Sequence, residues 1–264
     1  MVRSVAAKPK KITRTLLIDA DVLAYQASAV SEKVIRWTED LCFPVGHLTD
    51  ARVIFEEKLQ AILSELKTES YILAFTDGEN FRKKLLPSYK SNRKDKPKPL
   101  CLGFLKQDIL ASDHPTYIRP GLEADDVLGI LSTSKVQVKA DERIIVSIDK
   151  DFRGVPGLFY SLLDHELEEI TVAQADRWFM MQTLMGDATD GYSGCPGIGP
   201  KTAEKILGDS TTIEEMWPKV VAAFEKAGFG EEEALLQARM ARILRACDFN
   251  FKEKEVILWE PKKK

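Results

Sequence analysis

A short apolar run, Thr15-Leu16-Leu17-Ile18, ends directly on an acidic residue, Asp19. Two later stretches repeat the pattern: Tyr71-Ile72-Leu73-Ala74-Phe75 comes shortly before Asp77, and Ile144-Ile145-Val146-Ser147-Ile148 comes directly before Asp149. Runs this short and this apolar are typical of strands that are buried on both faces of a parallel sheet. Because ligands bind outside the carboxyl ends of such strands, we expect the three carboxylates at one edge of the sheet.

Six more acidic residues fall in short clusters further along the chain. They are Glu123, Asp125, Asp126, Asp151, Asp187 and Asp190. Carboxylates that are packed together repel one another unless protons or cations neutralise them. Hard divalent cations such as Mg²⁺, which prefer oxygen ligands, are the usual solution in proteins. The sequence therefore predicts an acidic metal-binding pocket.

Each cluster also has an ordinary structural explanation. Asp19 could cap the helix that follows it, and the acids at 123–126 could simply favour the N-terminus of a helix. A turn would explain Asp149, and a helix end at Gly186 would explain the polar loop after it. Three acids in four positions at 123–126 exceed what capping needs, and the first and last of them share a helix face.

The composition is that of a globular protein. The chain has 264 residues, 44% hydrophobic and 30% charged, which fits one large domain or a domain with an appendage. It has neither an apolar stretch of the roughly 20 residues that a membrane span needs nor a visible signal peptide. The four cysteines are far apart, which indicates a reducing compartment without a disulfide framework. We therefore expect a cytoplasmic protein, with a flexible basic tail at residues 1–13.

The net charge of −3 conceals a strongly basic segment, Arg82 to Lys98, with eight basic residues and one acid. Such a run is usually a solvated loop. This one lies in a long irregular stretch, 78–120, and long stretches of this kind in compact domains are usually functional. Tyr89 lies among the cations, where its ring could stack on a base while the cations hold phosphates.

The strongest single motif is Cys195-Pro196-Gly197-Ile198-Gly199-Pro200-Lys201-Thr202-Ala203. A tight Gly-x-Gly turn opens a helix, and the free N–H groups of a helix N-terminus favour phosphate. It is not a Walker loop, because Pro200 displaces the lysine and no strand precedes the motif. It fits a helix-hairpin-helix, which holds the DNA backbone whatever the sequence. An ordinary Gly-Pro turn between two helices is the alternative.

Two other functions stay open at this point. Ile18-Asp19-Ala20-Asp21-Val22 resembles the first motif of haloacid-dehalogenase-type phosphotransferases, in which Asp19 would be the nucleophile. The stretch 187–190 would then loosely match the last acidic motif of that family. A non-catalytic DNA-binding module is the third possibility, although such a module would not need nine acids in a pocket.

Taken in order, the motifs resemble the 5′-nuclease (flap endonuclease) family, which includes bacteriophage 5′-3′ exonucleases and the N-terminal nuclease domain of bacterial DNA polymerase I. The resemblance covers roughly residues 14–250. It implies an α/β fold, a PIN-like nuclease core whose largely parallel central sheet is flanked by helices. The core would span residues 14–170, with a helical arch at about 82–115, and residues 171–264 would form a C-terminal helical DNA-binding region with the helix-hairpin-helix.

The resemblance also implies roles for individual residues. The metal-binding acids would be Asp19, Asp77, Glu123, Asp125, Asp126, Asp149, Asp151, Asp187 and Asp190. The active-site group around the reacting phosphate would be Arg82, Tyr89, Lys90 and Arg93. Residues holding DNA would be Lys83, Lys84, Lys94, Lys96, Lys98, Gly197, Ile198, Gly199, Lys201 and Thr202.

The implied enzyme is a free-standing, metal-dependent 5′-3′ exonuclease and flap endonuclease of replication or repair. Its substrates would be DNA with 5′ ends or flaps, and RNA–DNA hybrids. Two Mg²⁺ ions, with Mn²⁺ as a substitute, would activate water and stabilise the leaving oxygen, and K⁺ could bind at the helix-hairpin-helix. We expect a monomer that works beside a separate polymerase, in the cytoplasm of a bacterium or a phage-infected host.

Overall fold

The computed structural model describes residues 12–93 and 96–262. Its strands are β1 (Arg14–Asp19), β2 (Lys33–Arg36), β3 (Cys42–Val45), β4 (Tyr71–Phe75), β5 (Thr116–Ile118), β6 (Glu142–Ser147), β7 (Gly157–Ser161), β8 (Glu166–Ile170), β9 (Phe249–Asn250) and β10 (Glu255–Val256). Six of them form one sheet in the order β5-β4-β1-β6-β7-β8, in which only the β7–β8 pair is antiparallel. The predicted α/β fold with a largely parallel sheet is confirmed.

The helices flank this sheet and make up most of the C-terminal third. They are α1 (Ala20–Ser31), α2 (Leu48–Glu65), α3 (Arg82–Leu85), α4 (Leu102–Leu110), α5 (Ala124–Thr133), α6 (Val172–Met185), α7 (Pro200–Leu207), α8 (Ile213–Lys226) and α9 (Glu231–Ala241). Short 3-10 turns cover 91–93, 150–154 and 246–248. None of the helices in the described residues is long and apolar enough to cross a membrane.

Both faces of the sheet are buried, which explains why its central strands read as continuous apolar runs. On β1, Leu16 and Ile18 join a core cluster with α1, α2 and α4. Leu17, between them, joins a second cluster with α5 on the other face. Successive side chains of a strand point to opposite faces, so each central strand supplies both clusters.

The strand order places a topological switch point between β1 and β6. The chain moves from β1 outward through β4 to β5, and then returns by α5 to β6 on the other side of β1. Crevices at such points are the usual ligand sites of open α/β sheets. Asp19, at the end of β1, and Asp149, just after β6, flank this switch point.

Helices α6 to α9 form a third core cluster, closed by Trp259. The Trp259 ring makes edge-on contacts with Phe179 and Trp217, with ring centroids 5.1 and 5.0 Å apart. The apolar residues Leu236, Met240, Ile243, Leu244 and Cys247 follow a helical spacing in the sequence, but they do not lie on one helix. Helix α9 ends at Ala241, and the chain then turns back so that Leu244 packs into the second cluster of the sheet.

The segment 82–115, which the resemblance identified as the arch, is helical only in separate short pieces. It contains α3, the 3-10 turn at 91–93 and α4, and its described residues do not form one continuous helix. Two residues of this segment, Lys94 and Asp95, lie outside the described residues, as do residues 1–11 of the predicted basic tail. The hairpin of β2 and β3, which the sequence did not predict, leaves its large side chains exposed.

Candidate active site

Asp19 occupies the bottom of a buried acidic pocket at the switch point. It is 4% exposed and accepts hydrogen bonds from the Ser147 hydroxyl (2.9 Å) and the Val22 amide (3.2 Å). The second bond makes it the N-cap of α1, so the capping explanation holds as well. Burial, aided by the charge of Asp21, raises the pKa of Asp19 to about 7. Such a carboxylate is poised to exchange its proton for a cation.

Asp125 and Asp149 complete the first group of pocket acids. Asp125 lies in the first turn of α5, and burial followed by the charges of Asp19 and Asp149 raises its pKa well above the ordinary value. The Asp149 carboxylate accepts a hydrogen bond from the Asp151 amide at 2.8 Å and so begins the 3-10 turn after β6. The carboxylates from β1, α5 and the end of β6 therefore lie close enough to affect one another electrostatically.

Asp151, Asp187 and Asp190 form a second group beside the first. Burial, followed by the charges of Asp149 and Asp187, raises the pKa of Asp151 to about 7. Its Oδ1 accepts a hydrogen bond from the Gln182 amide group at 2.7 Å. The Asp187 carboxylate caps its own loop, accepting the amide of Asp190 at 3.1 Å. Asp149 lies between the two groups and links them electrostatically.

Lys90 connects Glu123 to this second group. Its Nζ lies 2.5 Å from Glu123 Oε1 and 3.5 Å from Asp190 Oδ2. Burial alone would lower the pKa of Lys90, but the surrounding carboxylates, Glu123 first, raise it above its usual value. The pKa of Glu123 is lowered in turn, against the effect of burial, by Lys90 and Arg82. The ammonium group therefore stays charged inside the acidic pocket.

Tyr89 is buried and cannot stack on a base, which corrects that part of the prediction. Only 3% of it is exposed, and its hydroxyl donates towards Glu123 (2.9 Å) and Asp190 (3.1 Å). Burial raises the pKa of Tyr89 far above its usual value, so that the hydroxyl remains a donor. Its position makes it a support for two acids of the pocket.

Arg93 and its neighbours bind the segment 89–93 to the loop 187–192. Its guanidinium lies 2.5 Å from Asp190 and also donates to the Thr189 carbonyl, while the Asn92 amide group donates to the Ala188 carbonyl at 3.0 Å. The Lys90 backbone amide donates to the Asp190 carbonyl at 2.7 Å. The Arg93 side chain is 44% exposed, so it can still meet a ligand.

Asp126 and Arg82 form a buried pair beside the pocket, and Arg82 also lies 3.5 Å from Glu123 Oε2. Asp126 is fully buried, and its two oxygens accept hydrogen bonds from Arg82 at 2.7 and 2.8 Å. Arg82 is 3% exposed and also donates to the carbonyls of Met240 and Arg242. Glu123 and Asp126 do share a face of α5, but Arg82 occupies that face. The predicted roles of Asp126 in metal binding and of Arg82 in catalysis stay predictions.

Asp77 follows β4 and is held by backbone amides, one of them just before α5. Its Oδ2 accepts the Gly121 amide at 2.8 Å, and this bond is the main reason why the pKa of Asp77 is lowered. Gly121 has a positive φ of 76°, a backbone conformation that glycine adopts without strain. The carboxylate thus joins β4 to the start of α5 and keeps its charge.

The sequence did not single out three polar residues that support the pocket. Ser147 donates to Asp19, Gln182 donates to Asp151, and Asp21 accepts the Thr76 amide at 2.7 Å. Asp21 was visible in the same short motif as Asp19. Ser147 interrupts an apolar strand and Gln182 an otherwise apolar buried helix face, which is the only signal that either carried.

The donor set of the pocket fits a hard divalent cation. Its side chains offer carboxylate oxygens. Several of these carboxyl groups have raised pKa values, and a bound cation would lower those values again because it favours the charged form. Across 12–93 and 96–262, no three acidic, histidine or cysteine side chains converge closely enough to form a ready-made metal cage. Mg²⁺ keeps several waters and usually binds only one or two carboxylates directly, so a group of acids that does not already form a closed cage suits it.

The described residues among the predicted DNA-holding set lie on the surface, except Ile198, which is partly buried against the third core cluster. Lys83, Lys84, Lys96 and Lys98 are exposed, whereas Lys94 is outside the described residues. The Gly-x-Gly turn begins α7: Gly197 has a φ of +76°, Gly199 is the N-cap and Pro200 the first helical residue. A Cβ at Gly199 would meet no atom within 4 Å, so its surface is open to a ligand.

Two family models match the chain. The 5′-3′ exonuclease N-terminal resolvase-like domain matches residues 14–176, and the 5′-3′ exonuclease C-terminal SAM fold matches residues 173–264. Together they cover the sheet with its acidic pocket and the helices around the Gly-x-Gly turn.

Curated relatives match over nearly the same length. The exonuclease of Escherichia phage T7 is 33% identical, over 93% of this chain and 93% of its own. The exodeoxyribonuclease of Enterobacteria phage T3 is 32% identical, over 94% and 93%. The flap endonuclease Xni of Shewanella baltica is 28% identical, over 81% and 89%.

Solved structures share the fold. The 5′-exonuclease of phage T5 with bound zinc superposes with a TM-score of 0.65 at 17% identity, over 86% of this chain and 89% of its own. The T5 D15 protein co-crystallised with metal ions gives a TM-score of 0.64 at 16% identity, over 86% and 88%. The family models and the phage relatives, rather than this likeness in fold, decide the assignment: the chain belongs to the 5′-3′ exonuclease family.

Proposed function

We propose that this protein is a metal-dependent 5′-3′ exonuclease and flap endonuclease that hydrolyses phosphodiester bonds of DNA. One observation carries the proposal: Asp19, Asp125 and Asp149 come from three different elements and interact in one buried pocket, with the charged amine of Lys90 beside them. Repelling carboxylates next to a cation suit a site that holds metal ions and a phosphate. The haloacid dehalogenase and non-catalytic alternatives lack comparable support, because the family models cover the whole pocket.

The proposed metal ligands are the acids that face the pocket. They are Asp19, Glu123, Asp125, Asp149, Asp151, Asp187 and Asp190, and the sequence adds Asp77 and Asp126 to this proposal. Mg²⁺ is the proposed physiological ion and Mn²⁺ a substitute, since both take oxygen ligands. When bound, such ions supply a stronger water nucleophile and neutralise the phosphate and the leaving oxygen.

Lys90 has the proposed role of stabilising the reacting phosphate. Its side chain is 15% exposed, and its amine is held by Glu123 at 2.5 Å. A fixed cation in a largely water-excluded pocket stabilises the charge that develops in a transition state better than a cation in water. Arg93, more exposed and tied to Asp190, would contact the same phosphate from the outer side.

DNA outside the pocket has two proposed holding regions. The exposed lysines at 83, 84, 96 and 98 would contact the strand near the cut, as Lys94 would, although it lies outside the described residues. The open turn from Gly197 to Thr202 would hold duplex phosphates at a distance from the cut, and its carbonyls would bind K⁺. The described part of the chain passes from β8, which ends at Ile170, to α6, which supports the proposed boundary between the core at 14–170 and the region 171–264.

The further expectations also stay proposals. We propose that the protein acts as a monomer beside a separate polymerase, in the cytoplasm of a bacterium or a phage-infected host. RNA–DNA hybrids are a proposed second substrate, because the acidic pocket and the exposed cations can act on the phosphate backbone without reading bases.

The polarity of cleavage tests this proposal. Flap, nicked duplex and RNA–DNA hybrid substrates, each labelled at the 5′ or the 3′ end, are digested with Mg²⁺ at limiting enzyme. We expect release of short 5′-labelled products first, while 3′-labelled strands shorten step by step from the far end. Early release of 3′-labelled mononucleotides would show the opposite polarity. A phosphoaspartate at Asp19 after incubation with a small phosphate ester would favour the phosphotransferase instead.

A further inference from the structure

We propose that Lys106 is a positioning residue of the acidic pocket, which acts through Asp21 and Thr76. Lys106 lies on α4, and its Nζ donates to Asp21 Oδ1 at 3.3 Å and to the Thr76 carbonyl at 2.5 Å. The amine also lies 5.3 Å from the centre of the Phe75 ring. The inference rests on the proposed function for its effect on catalysis, and on the geometry alone for its effect on the pocket.

Lys106 and Asp21 together hold both backbone groups of Thr76. The other carboxylate oxygen of Asp21 accepts the Thr76 amide at 2.7 Å, while Lys106 takes the carbonyl. Thr76 is the first residue after β4, where the hydrogen bonds of the sheet end. Backbone groups at such a point need other partners when they are removed from water. The lysine and the aspartate provide these partners and so fix the chain just before Asp77.

Thr76 passes this constraint on to α5. Its hydroxyl oxygen accepts the Ala124 amide at 3.0 Å, and Ala124 is the first residue of that helix. The flanking residues are Glu123 and Asp125, two acids of the pocket. A continuous chain of hydrogen bonds therefore runs from Lys106 through Thr76, next to Asp77, to the start of α5 between Glu123 and Asp125.

Lys106 also forms an ion pair with Asp21, whose carboxylate belongs to the residue two positions after Asp19. An ordinary exposed ion pair contributes little to a protein, because water screens it and two side chains must be ordered. This pair differs, since its side chains are only 27% and 33% exposed and they hold backbone groups of the site.

The test compares Lys106→Met with Lys106→Arg, which can restore both hydrogen bonds, and with Lys219→Met as a matched control. Lys219 donates to the Leu207 carbonyl at 2.9 Å in the C-terminal helices, away from the pocket. The first readout is amide hydrogen exchange in the metal-free protein. We expect faster exchange at Thr76 and Ala124 in Lys106→Met, wild-type exchange in Lys106→Arg, and no change at these amides in Lys219→Met.

The second readout is Mn²⁺ binding without DNA. Loss of a partner that orients metal ligands typically weakens metal binding about 10- to 100-fold, and we expect a shift of this size in Lys106→Met. Asp21→Asn keeps an acceptor for the Thr76 amide but weakens the attraction to Lys106. If Lys106 acts through Asp21, the double variant will lose less Mn²⁺ affinity than the product of the fold-losses in the two single variants.

In cleavage assays, Lys106→Met should need more Mg²⁺ for half-maximal kcat, with an unchanged KM for DNA. Unchanged exchange at Thr76 and Ala124 together with unchanged Mn²⁺ affinity would overturn the proposal. So would a raised KM for DNA with normal metal affinity, because Lys106 would then only attract the substrate. If the parent protein does not cleave DNA at all, the proposed function fails, and the exchange and Mn²⁺ measurements still decide the role of Lys106.

Discussion

The guanidinium of Arg82 binds the carboxylate of Asp126 through two hydrogen bonds, of 2.7 and 2.8 Å, in the interior of the protein. Arg82 also donates to the Met240 and Arg242 carbonyls, where α9 ends. The pair thus joins the start of the basic segment, α5 and the C-terminal region. It also divides the neighbouring acids of α5: Asp125 faces the pocket, whereas Asp126 belongs to the interior.

Loss of Arg82 should therefore cost stability first. Arg82→Ala leaves Asp126 buried without its partner, and breaking a buried pair in this way lowers the free energy of unfolding by about 3–5 kcal/mol. Arg153→Ala is the matched control, since Arg153 pairs with Glu168 at a site that is about half exposed, and such pairs contribute about 0–1 kcal/mol. Urea unfolding measures both. Normal stability with lost cleavage would instead support the predicted catalytic role of Arg82.

The pH dependence of stability should follow the buried pocket acids. Burial in each case is the main reason why the pKa values of Asp19 and Asp151 rise from 3.8 to about 7. The folded protein then binds more protons than the unfolded chain between about pH 4 and 7, so its free energy of unfolding falls as pH rises through this window.

The melting temperature of the metal-free protein is the measurement. We expect it to be lower at about pH 8 than at about pH 5, and Mg²⁺ to raise it more at the higher pH, where the acids have lost their protons. Asp151→Asn should flatten the pH profile. A melting temperature that rises between these two pH values would show that the folded protein does not raise the pKa values of these acids.

Lys90 should affect chemistry more than binding. Lys90→Ala is expected to lower single-turnover cleavage by about 10²-fold or more, the scale of losing one electrostatic stabiliser. Equilibrium binding to a 5′ flap should change much less. Lys83→Ala, on the exposed face of α3, is the control and should affect mainly binding. A Lys90 variant that binds poorly but cleaves normally at saturation would limit this residue to attracting DNA.

The turn from Gly197 to Lys201 should affect binding and not chemistry. Gly199→Val fills the open surface in front of the α7 amides, and Lys201→Ala removes one cation. Both should weaken duplex binding whatever the sequence, and Lys201→Ala should reduce the salt slope of binding by about one unit. Binding to a short single strand serves as the control. Turnover that disappears at saturating DNA, or duplex affinity equal to that of the parent, would contradict this role.

The sequence predicted the sheet because its central strands are buried on both faces. Apolar residues on β1 and β6 pack against helices on either side, so a continuous apolar run was a reliable sign. Strand β8, Glu166–Ile170, gave no such sign, because it is an edge strand with several exposed acids. The hairpin of β2 and β3 was missed for a related reason: none of its side chains is fully buried.

The sequence could not distinguish pocket acids from interior acids. Asp125 and Asp126 are adjacent and chemically identical, and only the position of Arg82, 44 residues earlier in the chain, separates their roles. Tyr89 was misjudged for the same reason, since its burial depends on the distant Glu123 and Asp190. Spacing along one helix or strand is a local signal, and these contacts join residues that are far apart in sequence.

The most direct test of the account is single-turnover cleavage of a 5′-labelled flap as a function of Mg²⁺, with Asp149→Asn as the variant. We expect no cleavage in excess chelator, recovery when Mg²⁺ is restored, and a loss of orders of magnitude in Asp149→Asn at saturating DNA, with stability unchanged or improved because repulsion falls. Full cleavage in excess chelator, or wild-type rates in Asp149→Asn, would contradict a metal-dependent reaction in this pocket.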